Sequence, residues 1–287
     1  MSIVDDAFVF QCNGEDLLAV ASLPEKQESI GVLIVVGGPQ YRIGSHRQFL
    51  LLARRLASAG YPVMRFDYRG MGDSSGQLRN FEQVGEDIDA AIEAFVSRYP
   101  NIQRVVLWGL CDAASASLMY GYRFDEARLA GYCLLNPWVR SEATLAKTQI
   151  KHYYGKRLLE PAFWKKLLSG KLGIVGALRG FAASLLSARR TVGSPAQGRN
   201  PGFQEQMELT LTSCRIPALL ILSEEDYTAK EFAEYAQASD AMASALARPN
   251  VTRCLVSGAN HTFASAEWRR VVEAETLSWL QKMKVAA

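Results

Sequence analysis

The run Arg104-Val105-Val106-Leu107-Trp108 passes directly into Gly109-Leu110-Cys111-Asp112-Ala113, and residues 113–122 beyond it are helix-like. A short β-branched run with almost no polar interruption reads as a strand buried on both faces. Turning from such a strand into a helix over so few residues brings the two backbones nearly into contact. The flanking positions must then be small, and Gly109 and Ala113 are. A chain built round this junction is committed to a sheet with helices packed across it, because the helix has to fold back over the strand it leaves.

The remaining sequence repeats that grammar. Residues 7–11 and 16–22 flank Asn13-Gly14, a strong hairpin signal. Residues 31–36 are nearly all apolar, 46–59 carry helical spacing closed by Gly60, and 62–66 and 81–99 read as the next strand and helix. A further strand is expected at 130–135. This alternation implies a mostly parallel, doubly wound α/β sheet whose loops collect at the strand C-terminal ends. It stops near Asn136-Pro137 and resumes at Pro217. Residues 140–206 between them are mostly helical in pattern, with breaks at Gly193-Ser194-Pro195 and Asn200-Pro201-Gly202. The expected organisation is a core in two parts, 1–139 and 207–287, with 140–206 inserted as a helical cap. The cap is basic, with Lys147, Lys151, Lys156, Arg157, Lys165 and Lys166 against few acids such as Glu142 and Glu160. Two readings fit it: a solvated basic face over an apolar stripe, or a surface for an acidic substrate or anionic lipid headgroups.

The chemistry concentrates at strand ends. A cysteine at the apex of a tight strand-to-helix turn points outward as a nucleophile, and the helix N-terminus beyond it favours the thiolate. Such a thiol needs a histidine to handle its proton and a carboxylate to orient that histidine. The strand candidate 217–222 is followed by Ser223-Glu224-Glu225-Asp226, and the candidate 252–256 by Ser257-Gly258-Ala259-Asn260-His261. One of only three histidines in the chain thus falls just past a strand. Cys111 is the candidate nucleophile, His261 the general base and acid, and Asp226 the orienting acid, with Glu224 and Glu225 as adjacent alternatives. Ser115 lies one helical turn past Cys111 and lacks glycine flanks. His46 and His152 have no metal-ligand companions at useful spacing.

Four segments carry a resemblance: Val35-Val36-Gly37-Gly38-Pro39-Gln40-Tyr41-Arg42, Arg65-Phe66-Asp67-Tyr68-Arg69-Gly70-Met71-Gly72-Asp73-Ser74, Trp108-Gly109-Leu110-Cys111-Asp112-Ala113 and Gly258-Ala259-Asn260-His261-Thr262-Phe263. Over almost its whole length the chain resembles the α/β-hydrolase superfamily. More narrowly, it resembles the exosortase A system-associated hydrolase 1 family of bacteria. The resemblance implies the α/β-hydrolase fold, with acid and then histidine following the elbow. It implies an oxyanion hole from the N–H of Asp112 and from a His-Gly-Gly-Pro-like turn. Here Val36 replaces the histidine, and Pro39 has no N–H to give. Gly38 is the second donor and Gln40 the alternative. In the same resemblance Asp67, Arg69 and Asp73 belong to a structural loop. The cysteine at the elbow resembles that of dienelactone hydrolases, whose cap is different.

The bulk properties set limits. With 287 residues, 49% of them hydrophobic, the chain can bury one large α/β core and carry an insertion. A net charge of +3 gives no global preference for nucleic acid. No basic, apolar leader is visible at the first residues, and no apolar run reaches the roughly eighteen residues of a spanning helix. Five scattered cysteines form no CxxC pair, so a reducing cytoplasm is the expected compartment. The Gly-rich turn at 69–73 is no phosphate loop, since no Gly-Lys-Ser/Thr follows it. Neither cofactor nor metal is expected. The expected activity is hydrolysis of carboxylic esters or thioesters through an acyl-cysteine. Acyl transfer to an exopolysaccharide- or lipid-linked acceptor is the alternative, and a non-catalytic binding module is the third reading. The sequence carries no signal for oligomeric state.

Overall fold

The computed structural model describes residues 3–38, 40–124, 126–140 and 200–285. Most of the expected cap, including His152, lies outside the described residues, as does Pro39. One compact unit takes in the chain up to Val139 and again from Pro201 onward.

The unit opens with β1 (Ile3–Cys12) and β2 (Glu15–Pro24), joined at Asn13-Gly14 and longer at both ends than the alternation suggested. Then follow β3 (Ile30–Val35), α1 (Gln48–Ser58), β4 (Val63–Phe66), α2 (Gly85–Arg98), β5 (Arg104–Leu110), α3 (Asp112–Arg123) and β6 (Leu129–Leu135). Past the undescribed segment come α4 (Phe203–Ser213), β7 (Ala218–Ser223), α5 (Tyr227–Ala238), α6 (Asp240–Leu246), β8 (Val251–Val256) and α7 (Ala266–Val285). Helix α4 begins inside the segment read as cap. It packs on α3 through Met207 and Leu211, and Thr210 Oγ1 donates to the Leu118 carbonyl at 2.8 Å.

The strands form an eight-stranded sheet in the order β1-β2-β4-β3-β5-β6-β7-β8. The β1/β2 and β2/β4 pairs are antiparallel and every later pair is parallel. Alternation along each strand decides which face a side chain serves. Val105 and Leu107 of β5 join the core cluster under α2, α3 and α4, while Val106, Trp108 and Leu110 join the cluster under α1 and α7. Helices therefore cover both faces, which is why the central strands are apolar throughout. After β3 the chain adds β4 on one side and β5 on the other. The crevice beyond the C-terminal ends of β3 and β5 is thus a topological switch point, where open α/β sheets bind ligands. Among the described residues, no helix is long and apolar enough to cross a membrane, and no cluster of His, Cys, Asp and Glu could hold a metal ion.

Candidate active site

Cys111 sits between β5 and α3 with φ 64° and ψ −125°, a backbone conformation that a residue with a Cβ adopts only under constraint. The constraint comes from both sides. Its N–H donates to Leu135 O at 2.8 Å, and its carbonyl accepts from Ala114 at 3.1 Å and Trp138 at 3.2 Å. Gly109 has to be glycine, because a Cβ there would stand 2.6 Å from the Ala113 carbonyl carbon. Cys111 thus stands, partly exposed, at the C-terminal end of the central strand β5.

Asp226 is the N-cap of α5, accepting from Thr228 N–H at 3.3 Å and Ala229 N–H at 3.1 Å. Its Oδ2 also lies 2.8 Å from His261 Nδ1. Burial pushes the Asp226 carboxyl up, but the His261 hydrogen bond and charge and the two cap amides outweigh it, leaving it below the usual carboxylate range. The two neighbouring acids are spent elsewhere. Glu224 accepts from Ser257 Oγ at 2.6 Å and Gly258 N–H at 2.8 Å, and Glu225 lies 3.6 Å from Lys230 Nζ. Of the three, Asp226 faces the imidazole.

The hydrogen bond with Asp226, joined by the influence of Cys111, raises His261 to about 10 against the opposing effect of burial. Its loop is fastened by a residue whose role the sequence did not reveal. Asn136, fully buried and left-handed at φ 44°, ends β6. Its Nδ2 donates to His261 O at 3.1 Å and to Ser223 Oγ at 2.8 Å, and its Oδ1 accepts from Ser223 N–H at 2.8 Å. Ser223 Oγ in turn donates to Asn260 O at 2.9 Å. The one available signal was a polar residue directly closing the apolar run of β6, ahead of Pro137.

The remaining candidates find plain roles. Ser115 is buried and donates to Trp138 O at 2.6 Å, so its hydroxyl is committed to the backbone. Asp67 accepts from the backbone and guanidinium of Arg42 and holds the loop after β4. Arg69 is clamped on Asp87 through its backbone N–H at 2.8 Å, Nε at 3.0 Å and Nη2 at 2.9 Å. Asp73 pairs with Arg42 at 2.8 Å. Gly38 and Asp112 are adjacent: Gly38 N–H donates to Asp112 Oδ2 at 2.9 Å. Gln40 N–H donates to Gly38 O at 2.8 Å.

The eight-stranded, mostly parallel sheet and a strained turn between β5 and its helix make this an α/β-hydrolase. Residues 28–174, more than half the chain, match the family described as serine aminopeptidase, S33, and the chain belongs to that family of hydrolases. The family's description names serine, whereas the elbow here holds Cys111. No curated protein matches the chain by sequence. Among solved structures it is similar to the esterase Pf2001 of Pyrococcus furiosus, at 15% identity and a TM-score of 0.63, covering 98% of this chain and 93% of that one. Est1E of Butyrivibrio proteoclasticus with bound ferulic acid gives 14% and 0.62, covering 97% and 100%. A dienelactone hydrolase of Anabaena variabilis gives 12% and 0.62, covering 98% and 99%. At such identities the likeness speaks to the fold.

Proposed function

We propose that this hydrolase cleaves carboxylic esters or thioesters through an acyl-cysteine intermediate, with Cys111 as nucleophile, His261 as general base and acid, and Asp226 as the orienting carboxylate. The observation that carries the proposal is the pairing of His261 Nδ1 with Asp226 Oδ2 at 2.8 Å, alongside Cys111 held at the strained turn between β5 and α3. The thiolate is the form that attacks carbonyls, and His261 is the base that takes the thiol proton. The sulfur bonds to the acyl carbon and the carbonyl electron pair moves to oxygen. That oxyanion is received by the N–H groups of Asp112 and Gly38. On collapse the leaving alkoxide or thiolate takes the proton from His261. His261 then deprotonates water, whose attack on the thioester releases the acid and restores the thiolate.

Supporting this substrate class, one fold neighbour is an esterase, one holds ferulic acid and one is a dienelactone hydrolase. The same reading takes 140–206 as an inserted cap between core parts 1–139 and 207–287. It assigns the chain to the exosortase A system-associated hydrolase 1 proteins on its four motifs, and to a reducing compartment that keeps the thiol free. The test is product analysis with p-nitrophenyl esters and acyl thioesters, with and without added amine, alcohol or thiol. Free acid as the dominant product in every case is expected. Acyl transfer to the added acceptor would shift the assignment to a transferase, and no turnover by folded protein would end it.

A further inference from the structure

One of the two amides assigned above to the oxyanion is already bonded. The Gly38 N–H points at the carboxylate of Asp112, 2.9 Å from Oδ2. The other oxygen, Oδ1, is buried with no hydrogen-bond partner among the described residues. It lies against Gly37, where a Cβ would come within 2.3 Å of it. The Gly38 carbonyl is held by the Tyr68 hydroxyl at 3.1 Å and by Gln40 N–H at 2.8 Å. The turn is therefore fixed with its one useful donor engaged, and the alternative donor, Gln40, is spent as well. An N–H makes one strong bond at a time, and an anion on it repels a second anion arriving beside it.

We propose that the Asp112 side chain closes the oxyanion hole of the resting protein, and that acyl transfer proceeds only when this carboxylate leaves Gly38. The inference rests on the reading of Cys111 as nucleophile. Asp112 then has two opposed parts: its N–H receives the oxyanion, while its carboxylate competes for the partner amide. It acts through Gly38 and is a positioning residue. Burial pushes its carboxyl upward, and the amides of Gly38, Ala113 and Asp112 itself and the His261 charge offset this only in part.

The test compares wild type, Asp112→Ala and Asp112→Asn in three measurements. The first is hydrogen exchange of the Gly38 amide by NMR on ¹⁵N-glycine-labelled protein. The second is single-turnover acylation of Cys111 by p-nitrophenyl acetate. The third is alkylation of Cys111 by iodoacetamide, which needs the thiolate but no oxyanion hole. In Asp112→Ala the Gly38 amide should exchange faster and acylation should rise about tenfold or more, the population ratio that a charge-assisted hydrogen bond maintains. Alkylation should not change. Asp112→Asn, which keeps only an uncharged oxygen on Gly38, should fall between the two and carries the same test should the alanine variant not fold. Slower acylation in Asp112→Ala, restored by Asp112→Asn, would make the side chain a holder of the turn and overturn the gate. So would an equal gain in alkylation, which assigns the effect to the thiol's charge, or equal acylation rates. Absence of any Cys111 acyl adduct in all three proteins, with the Gly38 amide still responding, overturns the nucleophile assignment and the gate with it.

Discussion

Replacing Gly109 by alanine tests the elbow where its geometry is least forgiving. The added Cβ would lie 2.6 Å from Ala113 C, 2.7 Å from Ala113 O and 2.7 Å from Ala114 N. Carbon contacts are comfortable at about 3.5–4.0 Å, so α3 has to retreat from β5 by roughly 1 Å. All three obstructing atoms are backbone, and Ala113 and Ala114 are buried beneath the sheet, so no side chain can rotate away. The cost belongs at the upper end of overpacking, about 3 kcal/mol. With a urea slope of about 3 kcal/mol/M, the unfolding midpoint falls by about 1 M. Because Cys111 immediately precedes α3, the same retreat misplaces the sulfur against His261 and lowers Cys111 acylation by about a hundredfold. Tryptophan fluorescence in urea reads the first effect and single-turnover acylation the second. An unchanged midpoint would refute the close approach of strand and helix. A lowered midpoint with full acylation would refute the idea that this approach places the sulfur.

Asp226→Asn removes the charge that faces His261 and should slow acylation by about 10²–10⁴-fold; near-wild-type rates would pass the orienting role to Glu224 or Glu225. The raised His261 stabilises the fold fully below its free value of 6.5, and that contribution fades as pH climbs toward about 10. The lowered Asp226 loses its share as pH falls below 3.8. The difference in melting temperature between wild type and His261→Ala should therefore be greatest between these two ordinary values and close at high pH; a pH-independent gap contradicts the pairing. Asn136→Ala leaves Ser223 N–H without its acceptor and the carbonyl of His261 without its donor, so it should cost about 2–4 kcal/mol in urea denaturation and slow acylation as well. Wild-type behaviour would show that the His261 loop holds its place without Asn136. Asp87→Ala strands the buried Arg69 guanidinium on Glu86 alone and should cost about 3–5 kcal/mol; a loss below about 1 kcal/mol, the worth of a solvent-screened pair, would refute the buried clamp.

Local pattern carried much of this into the sequence. The apolar runs of β3, β5, β6 and β7 announce strands buried on both faces, and Gly109-Leu110-Cys111-Asp112-Ala113 announces the turn, because close backbone approach dictates residue size. The meeting of Asp226 with His261 follows from their places in the loops just past β7 and β8, which the sequence spacing showed. Helix α6 announces itself less because it is short, and α7 because it is weakly amphipathic. Two features could not be read from spacing at all. The bond between Asp112 and Gly38 joins residues brought together only by the β3/β5 pairing, and it depends on a side-chain rotamer. The Asn136 network spans the ends of β6, β7 and β8, and its geometry exists only once the strands are in register.

The most direct measurement of the central claim is intact-protein mass spectrometry after brief exposure to p-nitrophenyl esters of graded chain length, on wild type, Cys111→Ala and His261→Ala. The account predicts an acyl adduct that maps to Cys111, disappears in Cys111→Ala and forms far more slowly in His261→Ala. An adduct on another residue, or none on folded wild-type protein across the whole series, would contradict it.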